Sequence, residues 1–213
     1  MGNFTIEQRR AIEEKIELFW PAFRYRFYPD EFRMKLSEIE AQITAKRLDW
    51  FKENNDKLEY LKSDKLMHID KAFYLLYGEY MRIPFKELEI HGIEKVFQKI
   101  IDQDQGFILI DVHSRNFCPY LEAFKRLGLK PSESVDLCRA VLEKPCQELV
   151  KKVDPRIRFL RIYENGVEDN GNVKCGIRPL NDYCSERLVI WDGDLIFKLF
   201  YEKDFREQGL LGE

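Results

Sequence analysis

Long apolar segments are missing from this sequence of 213 residues. Runs such as "FILI" at 107–110 are far too short to span a bilayer. The first twenty residues place Arg9, Arg10 and Glu13 among apolar positions rather than ahead of an apolar segment, so we expect no secretory signal. The sequence therefore predicts a cytoplasmic protein without a membrane span.

Paired cysteines are missing too. The five cysteines are odd in number and none of them stands in a CxxC arrangement. A zinc site would show tighter ligand spacing, and a disulfide framework would use an even number. We therefore expect reduced thiols, no metal and no other cofactor. The residues are Cys118, Cys138, Cys146, Cys175 and Cys184.

An excess of basic charge is also lacking. The chain has 35 basic and 38 acidic residues, a net charge of -3, and both signs are spread evenly along it. This balance excludes a global basic field for nucleic acid and leaves only a local patch to consider.

The first ninety residues have the pattern of helices. "TIEQ" at 5–8 is a capping box, and apolar residues then recur at helical spacing until Pro21 bends or ends the segment. Pro29 begins a second, long helix, and a third is predicted from Ser63 or Asp64 up to Pro84. The pattern predicts three or four antiparallel helices in a domain spanning 1–91, which would supply a partner or dimer surface.

After Gly92 the pattern mixes helices and strands, which predicts an α/β domain over 92–213 and an α+β fold class for the chain. The predicted helices are 93–102, 119–127 and a stretch from Ser132 that is interrupted at Pro145. The predicted strands are "FILIDV", 156–164, the short strand "VKCGIRP", and a C-terminal hairpin over 188–199. The hairpin is expected to turn at Asp192-Gly193, with Val189 and Leu195 or their neighbours facing the core.

The stretch "IRPLNDYCSERLVIWDGDLIFKL", together with the element order before it, resembles the C-terminal part of phospholipase-D-like domains over about 93–205. Only Arg187 and Asp192 keep a position like that of the family, and the candidate binding residues in this stretch are Arg178, Asn181, Glu186 and Arg187. In that family a His nucleophile and a Lys act on the phosphate, whereas this chain has Ser185 and Glu186 at the corresponding place. The resemblance therefore implies a degenerate domain without catalytic residues. An unrelated hairpin with an incidental likeness is the alternative.

"LIDVHS" at 109–114 is a second candidate site. A buried strand that ends in Asp-x-His places Asp111 and His113 on the same edge, as in metal-dependent hydrolases. Further ligands are not evident, because the other histidines, His68 and His91, lie in the helical half. The alternative interpretation is that Asp111 and His113 line a polar cleft at the strand end.

"FRYRFYPDEFR" at 23–33 alternates Arg24 and Arg26 with aromatic residues and adds Arg33. Arginine with stacking aromatics is how single-stranded nucleic acid is held. The structural alternative buries the aromatics and pairs each arginine with a carboxylate such as Asp30 or Glu31. The even spread of charge favours this alternative.

The function we predict is that of a non-enzymatic interaction or regulatory protein, whose degenerate phospholipase-D-like domain binds a protein, nucleic acid or an anionic ligand. Self-association or a protein partner is expected, with nucleic acid as a partner through Arg24, Arg26 and Arg33. The alternative is a nuclease, phosphodiesterase or other hydrolase that uses Asp111 and His113 in a cleft.

Overall fold

A computed structural model describes residues 4–100, 103–161 and 183–191, with the backbone alone at 85, 89, 91–100, 103–107, 109, 111 and 191. Helices pack against a four-stranded antiparallel sheet in this part of the chain. This arrangement confirms the predicted α+β class.

The first two helices follow the sequence signals. Helix α1 (Ile6–Phe23) begins with the predicted capping box, in which the Gln8 amide donates to the Thr5 hydroxyl at 3.2 Å and the Thr5 amide donates to the Gln8 side chain at 3.0 Å. Pro21 lies in its last turn. Helix α2 (Pro29–Asn54) begins with a proline at its first position, where no amide donor is needed.

The third helix starts later than predicted. Two short 3-10 turns (Asn55–Lys57 and Glu59–Lys62) follow α2, and helix α3 (His68–Phe73) begins beyond Ser63 and Asp64. It continues as a π-helical segment (Tyr74–Tyr80). The π-helix, in which hydrogen bonds join residues five apart, is rare and is found frequently at functional sites.

The predicted helix at 93–102 is wrong. After a 3-10 turn (Phe85–Glu87), strand β1 (Leu88–Ile100) pairs antiparallel along its whole length with strand β2 (Gln103–Ser114), with a register shift between His91 and Ile93. The apolar spacing of 93–102 fits a helix. The continuous ladder of backbone hydrogen bonds with β2 outweighs that local preference.

The predicted interruption at Pro145 is also wrong. Helix α4 (Pro119–Arg126) matches its prediction, and helix α5 (Pro131–Val150) runs through Pro145 without a break. Pro145, Cys146 and Leu149 are buried on the face of α5 that packs inward. We infer that this burial offsets the one hydrogen bond that the proline cannot make.

The remaining strands confirm part of the predicted C-terminal half. Strand β3 (Ile157–Arg161) pairs with strand β4 (Cys184–Trp191), and the sheet order is β1-β2-β4-β3. Leu188 and Ile190, the neighbours of Val189, are buried. The predicted short strand "VKCGIRP" lies outside the described residues, as do the turn at Asp192-Gly193 and the second half of the hairpin with Leu195.

The described residues form two hydrophobic cores, one between the sheet and the helices and one between helices. One combines Leu76 of the π-helical segment with Ile110, Leu149 and Leu188. The other packs α1 and α2 against α4 and α5, and Phe19 meets Phe124 edge to face at 5.0 Å between ring centroids. Each core takes residues from both sides of 91–92, so the predicted domain boundary does not separate two cores in this part of the chain.

Candidate functional site

A cavity of about 380 Å³ lies where α1, α2, α4, α5 and the π-helical segment meet the ends of β2, β3 and β4. Among the described residues that line it, three are cationic, Lys15, Arg47 and Arg161, and one is a carboxylate, Glu186. We call this space the cationic cavity. Each of its charged residues comes from a different element, so only the folded chain assembles it.

Glu186 is a buried carboxylate with two partners. Its Oε1 lies 2.9 Å from Nη1 of Arg161, and its Oε2 accepts a hydrogen bond of 2.7 Å from the hydroxyl of Tyr77. Burial raises the pKa of Tyr77, and the adjacent Glu186 carboxylate raises it further. Tyr77 is therefore held as a neutral donor, and the charge of Glu186 is matched by that of Arg161.

Strand alternation explains how this pair comes to face inward. Ile157 and Phe159 are buried along β3, and Arg161 continues the same face. Glu186 precedes Leu188 and Ile190 on the inner face of β4 in the same way. Two oppositely charged residues thus occupy core-facing positions at the end of the sheet next to the cavity.

Arg47 is the second buried arginine, and its surroundings differ. It follows Ile39 and Ile43 at spacings of four on the buried stripe of α2. Its Nη1 donates to the Cys146 sulfur at 2.6 Å, and its guanidinium lies 5.1 Å from the ring centroid of Tyr80. Within the described residues no carboxylate pairs with it, and its Nε is buried with no hydrogen-bond partner.

Lys15 adds a third positive charge from α1. Its ammonium lies 5.1 Å from the ring centroid of Tyr120. Burial lowers the pKa of Lys15, Glu14 raises it, and the positive charges of Lys46 and Arg47 lower it further. The lowered pKa therefore follows mainly from the burial of the ammonium group.

Neutral polar groups complete the lining. The thiols of Cys118, Cys138 and Cys184 border the cavity, as do the hydroxyls of Ser114 and Ser134. Burial raises the pKa of Cys138 to about 12, so this group is a neutral thiol at physiological pH. Where the structure describes side chains, no group of three or more metal-ligating residues is present.

The predicted site residues do not form one cluster. On β2 and β4, the backbone of Asp111 pairs with that of Arg187. Strand alternation places positions 111, 113 and 187 on the face of the sheet opposite Glu186. His113 stacks on Tyr183 at 4.1 Å between ring centroids. Arg178 and Asn181, two further candidate binding residues, lie outside the described residues.

The segment between α1 and α2, residues 24–28, forms an exposed turn that we call the elbow. Arg24 and Arg26 are exposed, and Phe27 and Tyr28 are 77% and 60% exposed. The guanidinium of Arg26 lies 4.7 Å from the ring centroid of Phe27. The expectation that these aromatics are buried is therefore wrong for the elbow, although Phe23 just before it is buried.

Arg33, on the first turns of α2, is exposed as well. Its Nη1 lies 3.9 Å from Oδ1 of Asp30, and both side chains are open to solvent. An exposed pair at this distance contributes little stability. The ion pair of Arg33 with Asp30, the acidic neighbour that the sequence suggested, is therefore weak.

Sequence reasoning missed Lys15, Arg47 and Arg161. No motif surrounds them, but a signal was present for two of them. Arg47 stands at a core position of an apolar helical stripe, and Arg161 stands at a core position of an alternating strand. A charged residue where the pattern requires an apolar one is a reason to look for a buried partner or ligand.

Helices long and apolar enough to cross a membrane are absent from the part of the chain that the structure describes. No known protein family, curated protein or solved structure matches this chain.

Proposed function

We propose that this protein is a non-enzymatic binding protein, and that a small anionic molecule binds in the cationic cavity. The observation that carries the proposal is Arg47, a buried cation that lines the cavity without a carboxylate partner among the described residues. An arginine stays charged in a protein, and burying its charge without a counter-charge costs several kcal/mol. A bound anion would supply that counter-charge.

The other charged groups of the cavity support the same proposal. Arg161 and Glu186 neutralise each other, whereas Lys15 and Arg47 leave the cavity positive. The phospholipase-D-like resemblance stays a prediction. One of its two supports, the element order, is weakened because 93–100 belong to a strand.

Thermal unfolding in the presence of acetate or inorganic phosphate tests this proposal, with ionic strength held constant by potassium chloride. Binding to the folded state raises Tm as the anion concentration increases. We expect this rise in the natural protein and its loss in Arg47→Met. Lys46→Met is the matched control, because Lys46 is the exposed neighbour on the same helix and does not line the cavity. Equal shifts in all three proteins would contradict the proposal.

A second candidate function rests on the elbow. We propose that its exposed arginines and aromatics bind single-stranded nucleic acid, with phosphates on the guanidinium groups and bases on the rings. The observation in favour is the alternation of exposed Arg24 and Arg26 with exposed Tyr25, Phe27 and Tyr28.

A further inference from the structure

We propose that the ligand of the cationic cavity is a monocarboxylate with an apolar body, whose carboxylate pairs with Arg47 while its body packs against the apolar wall. This inference rests on the proposed function, since it names the chemistry of the ligand for the same cavity.

The charges of the cavity favour a single negative charge. Arg161 is matched by Glu186 at 2.9 Å, so this pair needs no further ion. Lys15 is only partly buried and feels the negative charge of Glu14. One fully buried cation of the cavity, Arg47, has no counter-charge among the residues that the structure describes. A second negative charge on the ligand would also meet the Glu186 carboxylate, which lines the same cavity.

The surroundings of Arg47 suit a carboxylate. Its hydrogen bond with Cys146 uses Nη1, and the ring of Tyr80 lies beside the guanidinium. The Nε–H group is buried and without a partner. A carboxylate pairs with a guanidinium through short, charge-assisted N–H bonds, so a ligand carboxylate at this wall of the cavity would supply the counter-charge of Arg47.

The size and the walls of the cavity require more than a bare ion. A water molecule occupies about 30 Å³ of liquid volume, whereas the cavity measures about 380 Å³. An inorganic anion would leave most of the space to water against apolar side chains, which is unfavourable. A ligand with an apolar body would cover that wall. Its residues are Met81, Ile83, Phe117, Leu121, Phe124 and Leu142.

Isothermal titration calorimetry with four probes tests the inference, because the probes differ in the charged group or in the apolar chain. Octanoate has both the single charge and the apolar body. Acetate lacks the body, octanol lacks the charge, and octyl phosphate carries more charge on the same body. We expect octanoate to bind tightest. In the series of linear carboxylates that begins with acetate, each two methylene groups added should lower Kd by about tenfold until the chain fills the cavity.

Variants of the cavity separate the two parts of the site. Arg47→Met should weaken octanoate binding at least about tenfold, whereas Lys46→Met should change it less than about twofold. Leu121→Ala should weaken octanoate several-fold and leave acetate unchanged. Because Leu121 is only partly buried, this variant is expected to fold. Octanoate affinity unaffected by both Arg47→Met and Leu121→Ala would overturn the inference.

The outcomes also distinguish this inference from the proposed function. If octyl phosphate binds more tightly than octanoate, or if chain length has no effect, the cavity binds anions but the assignment to an apolar monocarboxylate is wrong. If octanol binds as tightly as octanoate, the proposed pairing of Arg47 with the ligand carboxylate is wrong. If none of the three anions binds, both the inference and the proposed function are wrong.

Discussion

Nη1 of Arg161 lies 2.9 Å from Oε1 of Glu186, and both side chains are buried. Tyr77 donates to the other carboxylate oxygen at 2.7 Å. Removing one partner of a buried ion pair leaves the other charge without compensation, whereas replacing both partners by apolar groups is close to neutral. This relationship therefore has a measurable signature in stability.

The first prediction concerns this pair. Arg161→Met should lower the free energy of unfolding by about 3–5 kcal/mol, because Glu186 would remain charged and buried. Adding Glu186→Leu should recover more than half of the loss. Tyr77→Phe, as a third change, should recover part of the remainder, because the Tyr77 hydroxyl would otherwise lack an acceptor. Urea denaturation measures all three values, and a double variant as unstable as the single one would contradict the prediction.

The second prediction concerns Arg47, which has no such carboxylate partner. Arg47→Met should raise the free energy of unfolding of the ligand-free protein by about 1–2 kcal/mol, since it removes a buried charge that the described residues do not compensate. The hydrogen bond with Cys146 and the contact with Tyr80 would be lost and would reduce the gain. Urea denaturation measures the free energy of unfolding of this variant and of the control variant Lys46→Met. A loss of stability would show that the protein already compensates Arg47.

The free energy of unfolding is expected to fall in Arg161→Met and to rise in Arg47→Met. This difference distinguishes an arginine that stabilises the fold from one that binds a ligand. Residues held for function often reduce stability in the absence of their ligand. Arg161 serves the fold through Glu186, and Arg47 is the residue whose counter-charge is missing among the described residues.

Much of the fold could be predicted because it rests on local signals. Thr5 and Gln8 form a capping box within four adjacent residues, and Pro29 marks a helix start by its own geometry. β2 and β4 were recognisable from short β-branched apolar runs. Each of these features depends on neighbours along the chain.

The predictions are wrong where residues distant in the sequence determine the local structure. The stretch 93–100 has apolar spacing that suits a helix, but β2 offers it a ladder of backbone pairs. Pro145 disfavours a helix locally, yet the buried face of α5 offsets that cost. The cationic cavity could not be predicted for the same reason, because Lys15, Arg47 and Arg161 are brought together only by the packing of three elements.

The third prediction concerns acid stability through Asp154. This buried carboxylate accepts hydrogen bonds from Arg156, at 2.6 Å from Nη2, and lies 2.6 Å from Nδ1 of His68. Burial alone would raise the pKa of Asp154, but the hydrogen bonds from Arg156 and His68 outweigh it and hold the pKa well below its usual range. The carboxylate therefore stabilises the fold most when it is ionised.

Since the pKa is lower in the folded state, this stabilisation is complete above about pH 4, the value for an unfolded aspartate, and is lost as pH falls towards the folded pKa. Asp154→Asn should cost about 1–3 kcal/mol at pH 7 and should flatten the decline in stability between about pH 4 and pH 2. Asp136→Asn, at an exposed position of α5, is the control and should leave the decline unchanged. The measurement is urea denaturation across that pH range, and an unchanged profile in Asp154→Asn would contradict it.

The fourth prediction concerns catalysis. We expect no hydrolysis of bis-nitrophenyl phosphate, because Glu186 is already engaged by Arg161 and Tyr77, and because residues 185–186 are Ser and Glu where the predicted phospholipase-D-like resemblance would require a catalytic His. Activity that Glu186→Ala abolishes would show that the carboxylate has a catalytic role. Activity lost in Asp111→Asn or His113→Ala, and kept in Glu186→Ala, would favour the alternative hydrolase on the other face of the sheet.

The last prediction tests the elbow by fluorescence anisotropy with a labelled single-stranded oligonucleotide. Arg24, Arg26 and Arg33 are exposed, so each can contact one phosphate. Three contacts predict that log K falls with log salt concentration with a slope of about -2. Replacing all three arginines by Ala should abolish binding without unfolding the protein.

Stacking is tested separately at Phe27, which is 77% exposed. Phe27→Ala should weaken oligonucleotide binding by about 1–3 kcal/mol and change the free energy of unfolding by less than about 0.5 kcal/mol. The control replaces Lys57, Lys65 and Lys152 by Ala, which removes three exposed positive charges outside the elbow. Binding that falls equally in this control and in the arginine triple variant would show that net charge, rather than the elbow, attracts the oligonucleotide.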